Sequence, residues 1–341
     1  MSLPSVSALR GGPRPSFSIR QRRELDPMQA LRRVLLPQQE PLFNPALSST
    51  YRNVTCSASA CDQLTGSDCS GTTCLYAVSY GDGSSTVGFL ATDTFTLTSR
   101  NVFKNFIFGC GQNNQGLFGR AAGLIGLGRS RYSLTSQVAS RLGNIFSYCL
   151  PSTSSSTGFL NVGKPLASAV RYTPLLTDSR APAFYFIDLI GITVGGTKLP
   201  VGTRLELSPT VFQSVGTIID SGTVITRLPP AAYSALRTAF RAAMTQYPLA
   251  PAASILDTCY DFRNSATLTY PVIKLLYTNL EVTLPATGVF YVISSAQVCL
   301  AFAGNSDSSQ IGIIGNVQQR TFEVTHDNIA NRIGFSAGAC S

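Results

Sequence analysis

Short runs of alternating apolar and polar residues, separated by glycine-rich turns, dominate this chain. They never settle into the strand–helix repeat of a parallel α/β protein. Leu75–Tyr80, the turn Gly81-Asp82-Gly83-Ser84 and Val87–Leu97 read as a β-hairpin. Phe106-Ile107-Phe108 reads as another short strand, and Phe184–Ile190 with Ile192-Thr193-Val194 leads into a Gly195-Gly196 turn. Two helices stand out. Ser133 is placed to N-cap a short one carrying Leu134, Val138 and Leu142, closed by Gly143. Pro229-Pro230 opens a longer one with Tyr233, Leu236, Phe240 and Met244 on one face. The fold class is mainly β.

The 341 residues are 44% apolar, enough for two domains or one large β unit. Charged residues are 13%, about half the usual ~25%. No apolar run approaches the ~18 residues of a membrane span, so no membrane partner is expected. The net charge of +9 is uneven: seven arginines in residues 1–40 face only Glu24, Asp26 and Glu40. The rest is mildly basic with four lysines, which disfavours nucleic acid as a partner. His326 is the only histidine, so a multi-histidine metal site is impossible; neither metal nor cofactor is expected. Glu323–Asp327 reads as a strand running into a turn, with His326 at an exposed strand end.

Nine cysteines contain no Cys-x-x-Cys pair, which argues against zinc ribbons and thioredoxin-type motifs. Cys56, Cys61, Cys69 and Cys74, spaced 5, 8 and 5, suggest two short bridges and an oxidising compartment; buried free thiols are the alternative. Asn53-Val54-Thr55 is a glycosylation sequon beside them. Residues 1–37 differ in kind, being rich in Arg and Pro and lacking strand periodicity or an apolar secretion signal. They are expected to be a disordered leader, with a plastid transit peptide as the weaker reading. Gly123-Leu124-Ile125-Gly126-Leu127-Gly128 and Ile311-Gly312-Ile313-Ile314-Gly315-Asn316 hint at an internal duplication.

One tetrapeptide carries chemistry. Thr217-Ile218-Ile219 runs into Asp220-Ser221-Gly222-Thr223, which places a carboxylate at a strand end in a tight loop. The hydroxyls can hold the loop and orient the acid. Alone, Asp-Ser-Gly is ordinary turn chemistry. Together with Ile313-Ile314-Gly315, Tyr80-Gly81-Asp82-Gly83-Ser84, Phe108–Asn114, Gly123–Gly128, Phe146–Leu150, Ile219–Pro230 and Ile314–Gln319, it resembles the pepsin superfamily of aspartic peptidases, and most closely the nepenthesin-like plant branch. The resemblance covers roughly residues 38–341.

That resemblance implies a bilobal β fold with an incomplete N-terminal lobe at 38–165 and a C-terminal lobe at 166–341. A peptide cleft would lie between the lobes, under a flap carrying Tyr80 and Gly81. It implies Asp220 as a catalytic aspartate braced by Ser221, Gly222 and Thr223, with Gly126 and Gly315 in the two ψ-shaped loops. It also implies the bridges Cys56–Cys74, Cys61–Cys69, Cys149–Cys340 and Cys259–Cys299, with Cys110 unpaired. In such enzymes two carboxylates share one proton: one activates water, the other protonates the scissile carbonyl oxygen. This chain has a single Asp-Ser/Thr-Gly sequence. Asp26 precedes Pro27-Met28 and cannot make the same turn.

Three readings stay open: an endopeptidase seen as an incomplete chain, a non-catalytic binding or inhibitor-like relative, and an enzyme using one aspartate or a dimer. Whether this chain is an enzyme is thus undecided, although its family is proteolytic. The expected partner is a polypeptide substrate or inhibitor, the expected state a monomer, and the expected location the secretory pathway, extracellular or vacuolar.

Overall fold

The computed structural model describes residues 42–340 apart from 117, 119, 120, 154, 155, 180, 201–215, 264 and 266. The expectation of a leader at 1–37 lies outside the described residues. The described chain divides into two units at Asn144/Ile145, rather than at the 165/166 boundary expected from the sequence.

The first unit comprises β1 (Arg52–Asn53), α1 (Ser59–Asp62), β2 (Ser67–Ser70), β3 (Thr73–Ser79), β4 (Ser85–Thr98), β5 (Asn101–Gln115) and α2 (Leu134–Leu142). The sheet runs β1-β4-β3-β2, with β5 along the other side of β4. The β3–β4 hairpin forms where the alternation places it. Gly83 takes φ +84° in its turn, and the Ser84 N–H donates to Asp82 Oδ1 at 2.8 Å. Phe106–Phe108 is the middle of a 15-residue strand, because β4 offers a long antiparallel edge. Ser133 caps α2 by accepting from the Ser136 N–H at 3.2 Å, and Gly143 ends it at φ +80°.

The second unit contains β6 (Ile145–Cys149), β7 (Phe159–Val162), β8 (Arg171–Leu176), β9 (Phe186–Ile187), β10 (Leu189–Val194), β11 (Thr197–Lys198), β12 (Thr217–Ile219) and β13 (Thr226–Leu228). There follow α3 (Pro230–Ala242), β14 (Leu249–Ala250), β15 (Cys259–Asp261), β16 (Ile273–Tyr277), β17 (Leu280–Thr283), α4 (Ala286–Val289), β18 (Phe290–Val292) and β19 (Gln297–Leu300). The chain closes with β20 (Phe302–Gly304), β21 (Gly312–Ile314), β22 (Glu323–Asp327) and β23 (Arg332–Ser336). Ten strands form one sheet in the order β20-β13-β21-β12-β9-β8-β23-β22-β6-β7. The unit boundary falls before β6 because β6 pairs along its whole length with β22. The longer helix, α3, buries Tyr233, Leu236 and Phe240, and Met244 just beyond it is fully enclosed. Each such side chain contributes about 1.5–3 kcal/mol of transfer free energy.

The disulfides correct one expectation. Cys149 is bonded to Cys340 and Cys259 to Cys299, but the cluster pairs as Cys56–Cys69 and Cys61–Cys74, not as nested bridges. Burial explains the choice. One turn of α1 carries Cys61 into the apolar cluster of Val54, Leu64, Tyr76 and Val78, where Cys74 is also buried. Cys69 lies exposed on β2, within reach of Cys56 at the rim. Cys110 is free and buried. A non-reducing proteolytic map should therefore recover Cys61–Cys74 and Cys56–Cys69 peptides. Replacing Cys61 and Cys74 together by alanine should cost about 2–4 kcal/mol in denaturant unfolding, and recovery of nested peptides would refute the pairing.

Candidate active site

A carboxylate is useful only if its backbone is held, and here the holding strand is threaded. β21 lies between β12 and β13, the two arms of one loop. It pairs in parallel with β12 through Ile219↔Ile314 and antiparallel with β13 through Arg227↔Ile313. All three residues of β12, Thr217, Ile218 and Ile219, are buried, so the chain is anchored up to Ile219 and turns toward solvent at Asp220.

The Asp220 N–H donates to the Ile314 carbonyl at 3.1 Å. Its carboxylate receives two donors, the Gly222 N–H on Oδ1 at 2.8 Å and the Thr223 hydroxyl on Oδ2 at 2.7 Å. Both oxygens are thereby oriented, and each keeps acceptor capacity for water. A Cβ on Gly222 would sit 3.1 Å from Asp220 Oδ1, a tight contact with the carboxylate. Gly315 is required for a different reason. A Cβ on it would meet the Val224 carbonyl oxygen, Ile225 carbon and Thr226 nitrogen at 2.6–2.9 Å, all of them backbone.

A buried polar bracket closes the loop. Thr226 Oγ1 accepts from the Gly315 N–H at 2.9 Å and donates to Gln318 Oε1. The Gln318 amide donates to the Gly288 and Ala301 carbonyls at 2.8 and 3.0 Å. The Gln319 amide donates to the Ile314 carbonyl at 2.9 Å and accepts from the Tyr148 hydroxyl. Burial first, and the nearby Asp220 carboxylate second, hold the Tyr148 phenol protonated well above the ordinary tyrosine range; a hydrogen-bonding interaction with Ser221 works the other way. Asn316 Nδ2 adds a bond to the Ser221 carbonyl at 3.2 Å. Thr226, Gln318, Gln319 and Tyr148 were not singled out as site residues from the sequence. Their available signal was polar side chains set directly among aliphatic and glycine positions.

In the first unit, Tyr80 stands at the β3–β4 turn, its N–H donating to the Ser84 carbonyl at 2.8 Å and its ring edge-on to Phe118 at 5.8 Å. Gly81 follows it in the turn. Gly126 does not share the setting of Gly315. Among the described residues, Leu124–Gly126 joins no strand, and Leu124 is 37% exposed. The Gly126 carbonyl accepts from the Leu134 N–H at 2.9 Å.

His326 is buried in mid-sheet, not at an exposed strand end. It pairs with Phe146 across β6 and β22 and stacks on that ring at 4.4 Å and 10°, with Tyr185 edge-on at 4.4 Å. Its Nδ1 has no hydrogen-bond partner among the described residues, and burial pushes its pKa down to about 3.

The fold and the Asp220 loop define a mainly β, bilobal, pepsin-like protein. Residues 26–164 match the family described as xylanase inhibitor N-terminal, and residues 184–337 the one described as xylanase inhibitor C-terminal. An aspartyl protease family protein of Arabidopsis thaliana is 48% identical over 316 residues, covering 91% of this chain and 65% of that protein. Aspartic proteinase nepenthesin-1 of Nepenthes gracilis is 34% identical over 309 residues, covering 89% and 69%. Basic 7S globulin from soybean has the same fold, with TM-score 0.69 at 20% identity over 88% of this chain and 85% of that one. The chain belongs to the aspartic protease family. It spans 63–65% of the length of the first curated relatives it matches.

Two outcomes are expected. Thr226→Val strands the Gly315 N–H and the Gln318 carbonyl in the interior, so urea unfolding should show a loss of about 2–4 kcal/mol. A loss below 0.5 kcal/mol would mean that the bracket does not hold the loop. For His326, the folded pKa of about 3 lies below the ordinary 6.5, so the unfolded chain takes the proton first. The stability this site contributes is full above pH ~6.5 and declines as pH falls toward 3, by at most ~1.4 kcal/mol per pH unit. His326→Phe should flatten that slope in urea melts between pH 7 and pH 4; parallel slopes would count against it.

Proposed function

We propose that this chain is a catalytically silent member of the aspartic protease family that binds polypeptide without cleaving it. The observation that carries the reading is the contrast between the two Ile/Leu-Ile-Gly segments. Ile313-Ile314-Gly315 is enclosed by an Asp loop, whereas Leu124-Ile125-Gly126 joins no strand among the described residues, and the chain has a single Asp-Ser/Thr-Gly sequence.

Peptide hydrolysis by this route needs a base for water and an acid for the carbonyl oxygen. Asp220, with its two donors and its open lone pairs, is built to accept a proton from water. Among the described residues no second Asp-Ser/Thr-Gly loop offers a carboxylate to donate one. Each such role is worth about 10²–10⁴-fold in rate, and groups acting as a unit lose more than either alone. The descriptions matched by both halves name an inhibitor, which favours binding over turnover. Four disulfides point to an oxidising compartment. Within the proposal that compartment is the secretory pathway, with an extracellular or vacuolar destination.

The test is cleavage of denatured casein at pH 3–5 by the purified 341-residue chain, with and without a statine-type inhibitor. Turnover should not exceed background, and it should emerge when an Asp-Thr-Gly strand segment from a relative is fused upstream. Inhibitor-sensitive turnover by the unmodified chain, abolished by Asp220→Ala, would overturn the proposal. A fluorescent casein fragment should gain anisotropy with the unmodified chain; its failure to do so would remove the binding half.

A further inference from the structure

We propose that Asn53 is the acceptor of an N-linked glycan. Asn53-Val54-Thr55 is the one Asn-x-Ser/Thr sequence in the chain, and the fold presents it as such an acceptor requires. β1 is a strand of two residues at the end of the sheet order. Asn53 pairs with Ala91, and the Val54 N–H donates to the Leu90 carbonyl at 2.8 Å. Val54 is buried in the cluster with Cys61 and Cys74. Strand alternation therefore turns Asn53 and Thr55 outward, and both are exposed.

The side chain is already oriented. Asn53 Oδ1 accepts from the Tyr51 hydroxyl at 2.7 Å, while Nδ2, the atom that would carry sugar, has no hydrogen bond among the described residues. The neighbouring Arg52 guanidinium is turned away, donating to the Ser49 and Tyr51 carbonyls at 3.1 and 2.5 Å. A bulky substituent on Nδ2 thus displaces no contact of the folded unit. The compartment is indicated independently. The next residue but two, Cys56, is bonded to Cys69, and an exposed disulfide persists where N-glycosylation also takes place.

The co-reactant is a lipid-linked oligosaccharide diphosphate. Nδ2 forms a bond to the anomeric carbon, the bond from that carbon to the diphosphate oxygen breaks, and the diphosphate leaves with the electron pair. The proton lost from Nδ2 passes to a base of the transferring enzyme. Transfer to the extended chain precedes pairing of β1, and the folded unit keeps the product in solvent. There the glycan covers the unpaired side of a sheet edge, where an unprotected strand invites pairing with another chain.

The full chain, placed behind a cleavable secretion signal, is translated with microsomes, and protease-protected material is analysed. This reading precedes folding, so a variant that folds poorly still reports. A single mobility shift is expected, removed by peptide N-glycosidase with conversion of Asn53 to Asp by mass. The shift should be lost in Asn53→Gln and Thr55→Ala and kept in Thr55→Ser. Protected wild-type chain with unmodified Asn53, or a shift that survives Asn53→Gln, would overturn the assignment.

Discussion

The passage of β21 between the two arms of a single loop is the constraint on which the second unit's chemistry depends. The Ile314 carbonyl takes the Asp220 N–H on one side and the Gln319 amide on the other. One residue later the backbone of β21 approaches the loop so closely that no Cβ fits at Gly315. The carboxylate is therefore set by backbone packing and parallel pairing, and only afterwards by its two hydrogen-bond donors. A strand so constrained transmits little side-chain freedom to the acid, which is the preorganisation a hydrolytic site needs.

That arrangement requires polar groups in the interior, and the fold satisfies them. Thr226, Gln318 and Gln319 are fully buried, and the bonds they make run to one another, to the Gly315 N–H, to backbone carbonyls or to Tyr148. An unmet partner in such a bracket costs more than the bond it replaces contributes. His326, in contrast, sits in an aromatic setting against Phe146, Tyr148 and Tyr185. Its unpaired nitrogen is tolerated because burial keeps the ring neutral. The same sheet thus holds a polar bracket behind Asp220 and the aromatic setting of His326, and Tyr148 belongs to both.

The first unit shows what the same kind of segment does in other surroundings. Leu124-Ile125-Gly126 matches Ile313-Ile314-Gly315 in residue type, yet it joins no strand among the described residues, and Leu124 is partly exposed. A strand is an arrangement between segments, so an apolar pair followed by glycine specifies one only when partners flank it. The hairpin carrying Tyr80 is different. Its partners are consecutive in sequence and its turn is closed by Asp82, Gly83 and Ser84, so it forms from local information.

Local chemistry is what the sequence by itself determined. The mainly β class, the β3–β4 hairpin, the Ser133-capped helix, the α3 face and the Asp220 loop all follow from periodicity, turn residues and caps that act within about ten residues. Tertiary structure decided everything that depends on which distant groups share an environment. It paired Cys61 with Cys74 because both enter one apolar cluster. It made β5 long because β4 lay beside it, and it drew the unit boundary before β6 because β22 claims that strand. It buried His326, which a strand-to-turn pattern placed at the surface, because β6 and β23 flank β22 on both sides. It selected Thr226, Gln318, Gln319 and Tyr148 as the brace of Asp220. The physical reason is common to all of these: burial and partner choice are set by residues far apart in the chain, 171 positions for Tyr148 and Gln319 and 191 for Cys149 and Cys340, and no local pattern encodes such distances.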